Sequence, residues 1–168
     1  MKLRMLEQKD APFMLEWMHD DDVVKDLYAN FKDKTLDDCK SFIAYSQKSE
    51  TDLNLAIVSD DDEYLGTVSL KHIDKEGKTA EFAITIRKKA MGTGASALGM
   101  KEILEKGIRE LALDKIFWCV NRINERAVRF YDKNGYKRTD NVPSKILSAY
   151  PDELLKSFIW YVYGDDEK

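Results

Sequence analysis

Residues 84–96 read ITIRKKAMGTGAS, a strand-like run that passes through a glycine turn into a helix. The first N–H groups of a helix have no intrahelical partner, and with the helix dipole they form a site for anions. Gly92 and Gly94 carry no side chain, so a phosphate can approach the main chain closely. Arg87 and the two lysines after it add positive charge just before the turn. The pattern predicts a phosphate site, with an ordinary strand–helix turn as the alternative.

Known phosphate-binding fingerprints fit this stretch only in part. The dinucleotide pattern G-x-G-x-x-G would need a glycine at position 97, where the chain has Ala97. The P-loop pattern G-x-x-x-x-G-K-[ST] does not occur in the sequence. A nucleotide-binding module that uses the glycine turn therefore stays open as a hypothesis.

The segments around this turn alternate between strand and helix patterns. Strand 80–86 is the clearest, since its apolar residues Ala80, Phe82, Ile84 and Ile86 face one way, while Glu81, Ala83 and Thr85 face the other. Strands are predicted at residues 2–5, 53–58, 64–70, 80–86, 116–120 and 157–163, and helices begin near residues 10, 23, 35, 94 and 124. This order predicts an α/β or α+β fold with one sheet and helices on both faces.

Composition narrows the class of protein. The 168 residues predict a single domain over 1–168, and no apolar run is long enough to span a membrane or to serve as an export signal. Cys39 and Cys119 form no metal or redox motif, so we expect no metal and a cytoplasmic location. With a pI near 5.3, nucleic acid is not an expected partner.

Charge is unevenly distributed along the chain. Residues 1–64 carry a net charge of −8, and residues 65–139 carry +7. Either the middle of the chain faces an anion and the N-terminal third a cation, or both are ordinary solvated surfaces.

A second motif identifies a family. Asn124, Ala127, Tyr131, Lys133, Gly135 and Tyr136 follow the spacing N-x-x-A-x-x-x-Y-x-K-x-G-[FY], which resembles the signature of the GNAT superfamily of N-acetyltransferases. Lys89-x-x-Gly92-x-Gly94 resembles the pyrophosphate motif of the same family, although Lys replaces the usual Gln or Arg and loses its planar fork. The N-terminal pattern from Leu6 to Trp17 is similar to the ribosomal-protein acetyltransferase (RimJ/RimL-like) branch.

The resemblance implies a GNAT fold, with a mixed, mostly antiparallel, twisted sheet of about six or seven strands and a V-shaped splay between strands 4 and 5. It implies acetyl-CoA as co-substrate and no metal, with the pantetheine arm lying in the splay and the pyrophosphate on the amides of Met91 to Ser96. The implied cofactor-binding residues are Phe82, Ile84, Ile86, Arg87, Lys89, Met91, Gly92, Thr93, Gly94, Ala95, Ser96, Asn121, Asn124, Ala127 and Lys133. Asn124 has the alternative role of a simple helix N-cap.

Catalytic roles follow from the same resemblance. Tyr131 is implied as the general acid to the departing thiolate, with a packed core aromatic as the alternative. Glu81 is implied as the base, because the family often has a glutamate on this strand. His72 is a second candidate base, since imidazole exchanges protons near neutral pH. A covalent acyl-Cys119 is a further alternative, but a buried core thiol is the better interpretation of that residue.

The acceptor is predicted to be a primary amine, either a small molecule or a protein N-terminus. Acidic groups attract a cationic amine, and aromatic rings hold it by cation–π contact. The candidate acceptor residues are Trp17, Asp20 to Asp22, Tyr28, Phe31 and Tyr150, each with a structural alternative. A non-catalytic acyl-CoA-binding module remains the alternative function, and the chain is expected to be a monomer or homodimer.

Overall fold

The computed structural model describes residues 1–27 and 29–164. Tyr28, predicted near the acceptor, and the tail 165–168, predicted to fray, lie outside these residues. The strands are β1 Lys2–Met5, β2 Leu53–Val58, β3 Tyr64–Asp74, β4 Thr79–Ile86, β5 Lys115–Asn121, β6 Lys137–Arg138 and β7 Phe158–Gly164. The helices are α1 Ala11–Met18, α2 Asp21–Val24, α3 Leu36–Ser46, α4 Ala95–Arg109, α5 Glu125–Lys133, α6 Ser144–Leu147 and α7 Asp152–Leu155.

The described strands form one seven-stranded sheet in the order β1-β2-β3-β4-β5-β7-β6. Every neighbouring pair is antiparallel except β4 and β5. These two pair only from Thr79↔Lys115 to Glu81↔Phe117, although β4 continues to Ile86 and β5 to Asn121. The predicted mixed sheet and the splay between its fourth and fifth strands are therefore confirmed.

Helices cover both faces of the sheet because consecutive strand residues point to opposite sides. On one face, Trp118 and its neighbours pack against Met100 and Leu104 of α4 and Tyr131 of α5. On the other face, α1 and α3 cover β2 and β3, while α6 and α7 cover β5 and β7 around Phe117. This arrangement confirms the predicted alternation of β4, since Ala80 and Phe82 belong to the α4 side.

Strand β3 is longer than the sequence predicts. It was expected over residues 64–70 and continues to Asp74 through a β-bulge, where the pairing with β4 shifts between Lys71 and Asp74. His72 lies in the bulge with a φ of 52°. A bulge interrupts the two-residue alternation on which strand prediction depends, so the pattern appeared to end early.

Local signals set the helix ends. Thr35 accepts from the N–H of Asp38, and Asp38 accepts from the N–H of Thr35, so the predicted cap of α3 is a reciprocal capping box. The short elements β6, α6 and α7 carry no periodic pattern of useful length and were not predicted. Within the described ranges, none of the helices has the length and apolar character needed to cross a bilayer.

Candidate active site

A buried carboxylate lies where β4 and β5 separate. Glu81 is the last β4 residue paired with β5, and only 1% of its surface is exposed. Its partner in register is Phe117, so its side chain points to the face covered by α6 and α7. A carboxylate in this environment needs hydrogen-bond donors, because leaving it unpaired would be costly.

His72 supplies one of these donors. Its Nδ1 lies 3.1 Å from Oε1 of Glu81. In a regular strand His72 would face away from Glu81, since Lys71 is the residue in register with it. The bulge turns the imidazole to the same side, and an N–H from His72 to Oδ1 of Asp52 holds the bulged backbone.

Tyr150 supplies the second donor from the other end of the chain. Its hydroxyl donates to Oε2 of Glu81. The ring is edge-on to Phe158 at 5.3 Å and to Trp160 at 5.9 Å, so packing between two β7 side chains positions the hydroxyl. Residues 144–155 thus contribute directly to the environment of the carboxylate.

Tyr131 approaches the splay from α5 on the opposite face. It is 8% exposed and packs against Trp118, Phe130 and Tyr161. Burial raises the pKa of Tyr131 well above its ordinary value, so the phenol keeps its proton at neutral pH. Within residues 1–27 and 29–164, no protein group makes a hydrogen bond with its hydroxyl.

Cys119 lies on β5, on the face of the sheet that also carries Glu81. Burial first, and the charge of Glu81 second, raise the pKa of the Cys119 thiol to about 12, with Tyr150 within hydrogen-bonding reach. The same thiol contributes to the raised pKa of Tyr131. Because the thiolate is the nucleophilic form, Cys119 is a poor nucleophile at neutral pH.

The glycine turn has the geometry expected of an anion cradle. Gly92 has a φ of 80° and Gly94 a φ of 90°, and a Cβ built on either would meet no atom within 4 Å. Gly94 is the N-cap of α4, so the amides of Ser96 and Ala97 have no intrahelical acceptor. The open space above these amides suits a diphosphate.

The set of available amides is smaller than the sequence predicts. Among the six expected from Met91 to Ser96, the N–H of Met91 donates to Lys88 and the N–H of Thr93 donates to Ala90. A 3-10 turn over Lys88–Ala90 accounts for this, since its carbonyls accept from the residues that follow. The N–H of Ala95 donates to the hydroxyl of Thr93 at 3.4 Å, so Gly92, Gly94 and Ser96 are left as the best placed donors.

The cations before the turn are engaged elsewhere. Arg87 is 5% exposed and makes a bidentate contact of 2.7 and 2.9 Å with Glu16 of α1. It also donates to Glu63 at 2.9 Å and lies 4.8 Å from the ring centre of Phe13. Its guanidinium therefore links α1 to the sheet, although its backbone directly precedes the turn that forms the cradle.

The two lysines make similar pairs at the surface. Lys88 contacts Asp22 at 2.6 Å, and Lys89 contacts Glu63 at 2.7 Å. The acidic N-terminal third thus neutralises part of the basic middle of the chain, which explains the uneven charge without a ligand. Arg126 of α5, which the sequence did not single out, places its Nη1 3.4 Å from Sδ of Met91 and adds a cation beside the cradle.

The remaining predicted cofactor residues lie on β4, at the end of β5 and on α5. Ile84 and Ile86 are partly exposed on the part of β4 that does not pair with β5. Asn124 caps α5 by accepting from the N–H of Ala127 at 3.3 Å, so its predicted capping role is confirmed. Asn121 ends β5, and Lys133 lies exposed at the end of α5, farther along the helix than Tyr131.

The predicted acceptor residues do not form one group. Trp17 is 4% exposed and donates to the hydroxyl of Tyr64 at 3.0 Å, with Phe31 packed on its edge. Asp20 caps α2. Of the described candidates, Tyr150 is the one that reaches Glu81. The contact of His72 with Glu81 was not predicted, although the adjacent polar pair Lys71–His72 was a visible break in the strand pattern.

Comparison with known proteins agrees with this geometry. Residues 1–137 match the family model of the acetyltransferase (GNAT) domain, and the chain therefore belongs to this family. The spermidine N(1)-acetyltransferase of Escherichia coli (strain K12) is 32% identical over 80 residues, which are 48% of this chain and 43% of that protein. This match spans less than half of the relative's length.

Two further relatives cover more of the chain. An uncharacterized N-acetyltransferase p20 of Bacillus licheniformis is 24% identical over 165 residues, or 92% of each protein. A spermidine N-acetyltransferase from Vibrio cholerae, solved in complex with CoA and spermine, has a TM-score of 0.75 at 20% identity and covers 84% of this chain and 83% of that one. At this identity the structural match establishes the fold. The narrower resemblance to the RimJ/RimL-like branch stays a prediction.

Proposed function

We propose that this chain is an acetyl-CoA-dependent N-acetyltransferase that acetylates a primary amine by direct attack in a ternary complex. The observation that carries the proposal is a buried carboxylate at the mouth of the splay, with a protonated phenol approaching from the other face. These are the two groups that the reaction needs, and membership of the GNAT family supplies the class of chemistry.

Acetyl-CoA is proposed to bind along the part of β4 that does not pair with β5. The amides of Gly92, Gly94 and Ser96 would hold the diphosphate at the start of α4, with Arg126 and Lys89 nearby. The apolar side chains of Ile84 and Ile86 would line the pantetheine path. Asn121, Asn124, Ala127 and Lys133 are kept as proposed contacts on the β5–α5 side.

The chemistry is proposed to run through Glu81 and Tyr131. An alkylamine is mostly protonated at neutral pH, so Glu81 accepts a proton from the amine before or during attack. The nitrogen attacks the thioester carbonyl, and a main-chain N–H near Phe82 stabilises the oxyanion. The C–S bond breaks as the C=O bond re-forms, and Tyr131 donates its proton to the departing sulfur. The second proton that the nitrogen loses returns through solvent to the Tyr131 phenolate.

Direct attack is preferred to an acyl-cysteine intermediate. The pKa of the Cys119 thiol is raised to about 12 by burial and by Glu81, which leaves little thiolate at neutral pH. The lack of hydrogen-bond partners on the Tyr131 hydroxyl in the described chain also suits a group that waits for an incoming sulfur.

A small polyamine is the proposed acceptor to test first, since two relatives are named for spermidine acetylation. The test measures release of free thiol from acetyl-CoA with spermidine, aminosugars and N-terminal peptides, beside calorimetry with CoA, ATP and NAD. We expect CoA binding, and thiol release with at least one amine. CoA binding without thiol release would favour the non-catalytic acyl-CoA module, and binding of ATP or NAD instead would favour a nucleotide module.

A further inference from the structure

We propose that His72 and Tyr150 are a pair of positioning residues that together hold the Glu81 carboxylate oriented toward the acceptor amine. This inference rests on the proposed function of the site. It concerns two residues from outside the family motifs, one in a β-bulge and one in the segment between α6 and α7.

The hydrogen bonds define the role of each residue. A carboxylate only accepts, so both partners must donate. Nδ1 of His72 therefore carries a proton toward Oε1 at 3.1 Å, and the Tyr150 hydroxyl donates to Oε2. Two donors on its two oxygens fix the rotation of the Glu81 carboxylate.

The backbone of His72 adopts an uncommon conformation where it makes this contact. A non-glycine residue with positive φ is uncommon and persists when the surrounding structure imposes it. Here the φ of 52° accompanies the bulge that turns the imidazole toward Glu81. The side chain of His72 remains half exposed, so the ring is not in place to fill the core.

Tyr150 is positioned by packing rather than by backbone strain. Its ring lies between Phe158 and Trp160, and an ion pair of 3.1 Å between Lys145 and Asp74 ties the same segment to the end of β3. The two positioning residues thus reach Glu81 from elements that are each fastened to the sheet.

Other charged or titratable groups also surround the carboxylate. Lys71 faces it from the register partner on β3, and Cys119 faces it from β5. Asp52 accepts a hydrogen bond from the backbone N–H of His72 and adds negative charge close to that residue. None of these groups changes in the variants below, so a change in kcat reports on the two donors.

The experiment compares two substitutions at the bulge. His72→Gly keeps the positive φ and removes the donor, whereas His72→Asn tolerates the same φ and retains an N–H donor. We expect His72→Gly to lower kcat about tenfold, because the carboxylate loses one of the two donors that orient it. His72→Asn should recover part of this loss, with an unchanged KM for acetyl-CoA in either variant.

Two further variants complete the test. Tyr150→Phe keeps the packed ring and should produce a similar kcat loss. Ala112→Gly is the matched control, since Ala112 is an exposed residue between α4 and β5 with a φ of 55°, and its kcat should stay at the parent value. Thermal unfolding of every variant separates misfolding from a change in chemistry.

The outcomes distinguish the inference from the proposed function. If the parent protein releases no thiol with any amine, the proposed function fails and this inference with it. If the parent is active and His72→Gly keeps the parent kcat, only the inference fails. If His72→Gly lowers kcat and His72→Asn recovers nothing, His72 has a structural role and the inference is again overturned.

Discussion

The hydroxyl of Tyr150 donates a hydrogen bond to Oε2 of Glu81, although 69 positions separate the two residues in the sequence. The contact joins the segment after β6 to the point where β4 and β5 part. It means that the candidate base is supported by a region outside the residues that match the GNAT family model, which end at 137.

Replacing Glu81 by Gln tests the proposed base. Gln keeps the size of the side chain and an acceptor oxygen, but it does not take the proton of the amine. We expect kcat to fall about 100-fold or more, with little change in CoA affinity by calorimetry. Glu76→Gln in the exposed β3–β4 turn is the matched control. A Glu81→Gln enzyme with parental kcat would remove this residue from the mechanism.

Replacing Tyr131 by Phe tests the proposed acid. The variant should unfold at nearly the parent temperature. Among the described residues the Tyr131 hydroxyl has no hydrogen-bond partner, so its removal leaves no polar group unpaired. We expect kcat to drop about tenfold or more while the affinity for acetyl-CoA stays the same, since the proton is needed only as the thiolate forms. Equal turnover of Phe and Tyr enzymes would show that Tyr131 is simply a core aromatic.

Adding a methyl group at Gly94 tests the cradle. A Cβ there enters the space proposed for the diphosphate and also strains a residue with a φ of 90°. Gly135→Ala is the control for strain alone, because Gly135 has a φ of 80° at the end of α5. We expect Gly94→Ala to weaken CoA binding at least tenfold and Gly135→Ala to leave it near the parent value. Equal affinities for the two variants would argue against the cradle.

Replacing Arg87 by Met tests whether this side chain serves the fold or the ligand. The change leaves Glu16 and Glu63 without their guanidinium, so we expect a loss of about 2 kcal/mol in unfolding free energy, or about 5 °C in Tm. The exposed pair of Lys89 should matter less, and Lys89→Met is expected to cost about 0.5 kcal/mol or less. A large loss of CoA affinity in Arg87→Met with unchanged stability would contradict this assignment.

Acid sensitivity is expected at the β2–β3 turn. Hydrogen bonds from Lys9 first and Arg4 second lower the pKa of Asp62 from 3.8 to about 2. Because the folded value lies below the ordinary one, the ion pairs stabilise the fold fully above about pH 4, and this contribution is lost as the pH falls through 2. Asp62→Asn should therefore differ in stability from the parent at pH 6 and converge with it near pH 2 in urea unfolding. A constant difference across that range would count against the pairing.

Much of the site could be placed from the sequence, for identifiable reasons. Gly92, Gly94 and the strand before them form a local pattern, and the alternation of β4 sets Glu81 apart from Phe82 by face. The capping role of Asn124 was equally visible, because a cap and its helix are adjacent in the chain. Each of these inferences needs only residues within one or two turns of each other.

Other parts were out of reach of such patterns. Arg87 was expected beside the phosphate, but its guanidinium is paired with Glu16, which lies 71 positions earlier. No local pattern in either segment predicts this contact. The amides of Met91 and Thr93 were expected to be free, and the carbonyls of a short 3-10 turn occupy them instead. His72 needed a bulge, which breaks the periodicity that a prediction follows.

By itself, the sequence determined the order of β1–β5, β7 and α1–α5, the glycine turn before α4 and the family, because periodicity, turn chemistry and motif spacing are properties of neighbouring residues. The tertiary structure alone decided which side chains share the splay, and which cations are used by the protein itself. The physical reason is that burial and charge pairing depend on groups that folding brings together from distant positions, as with His72, Glu81 and Tyr150.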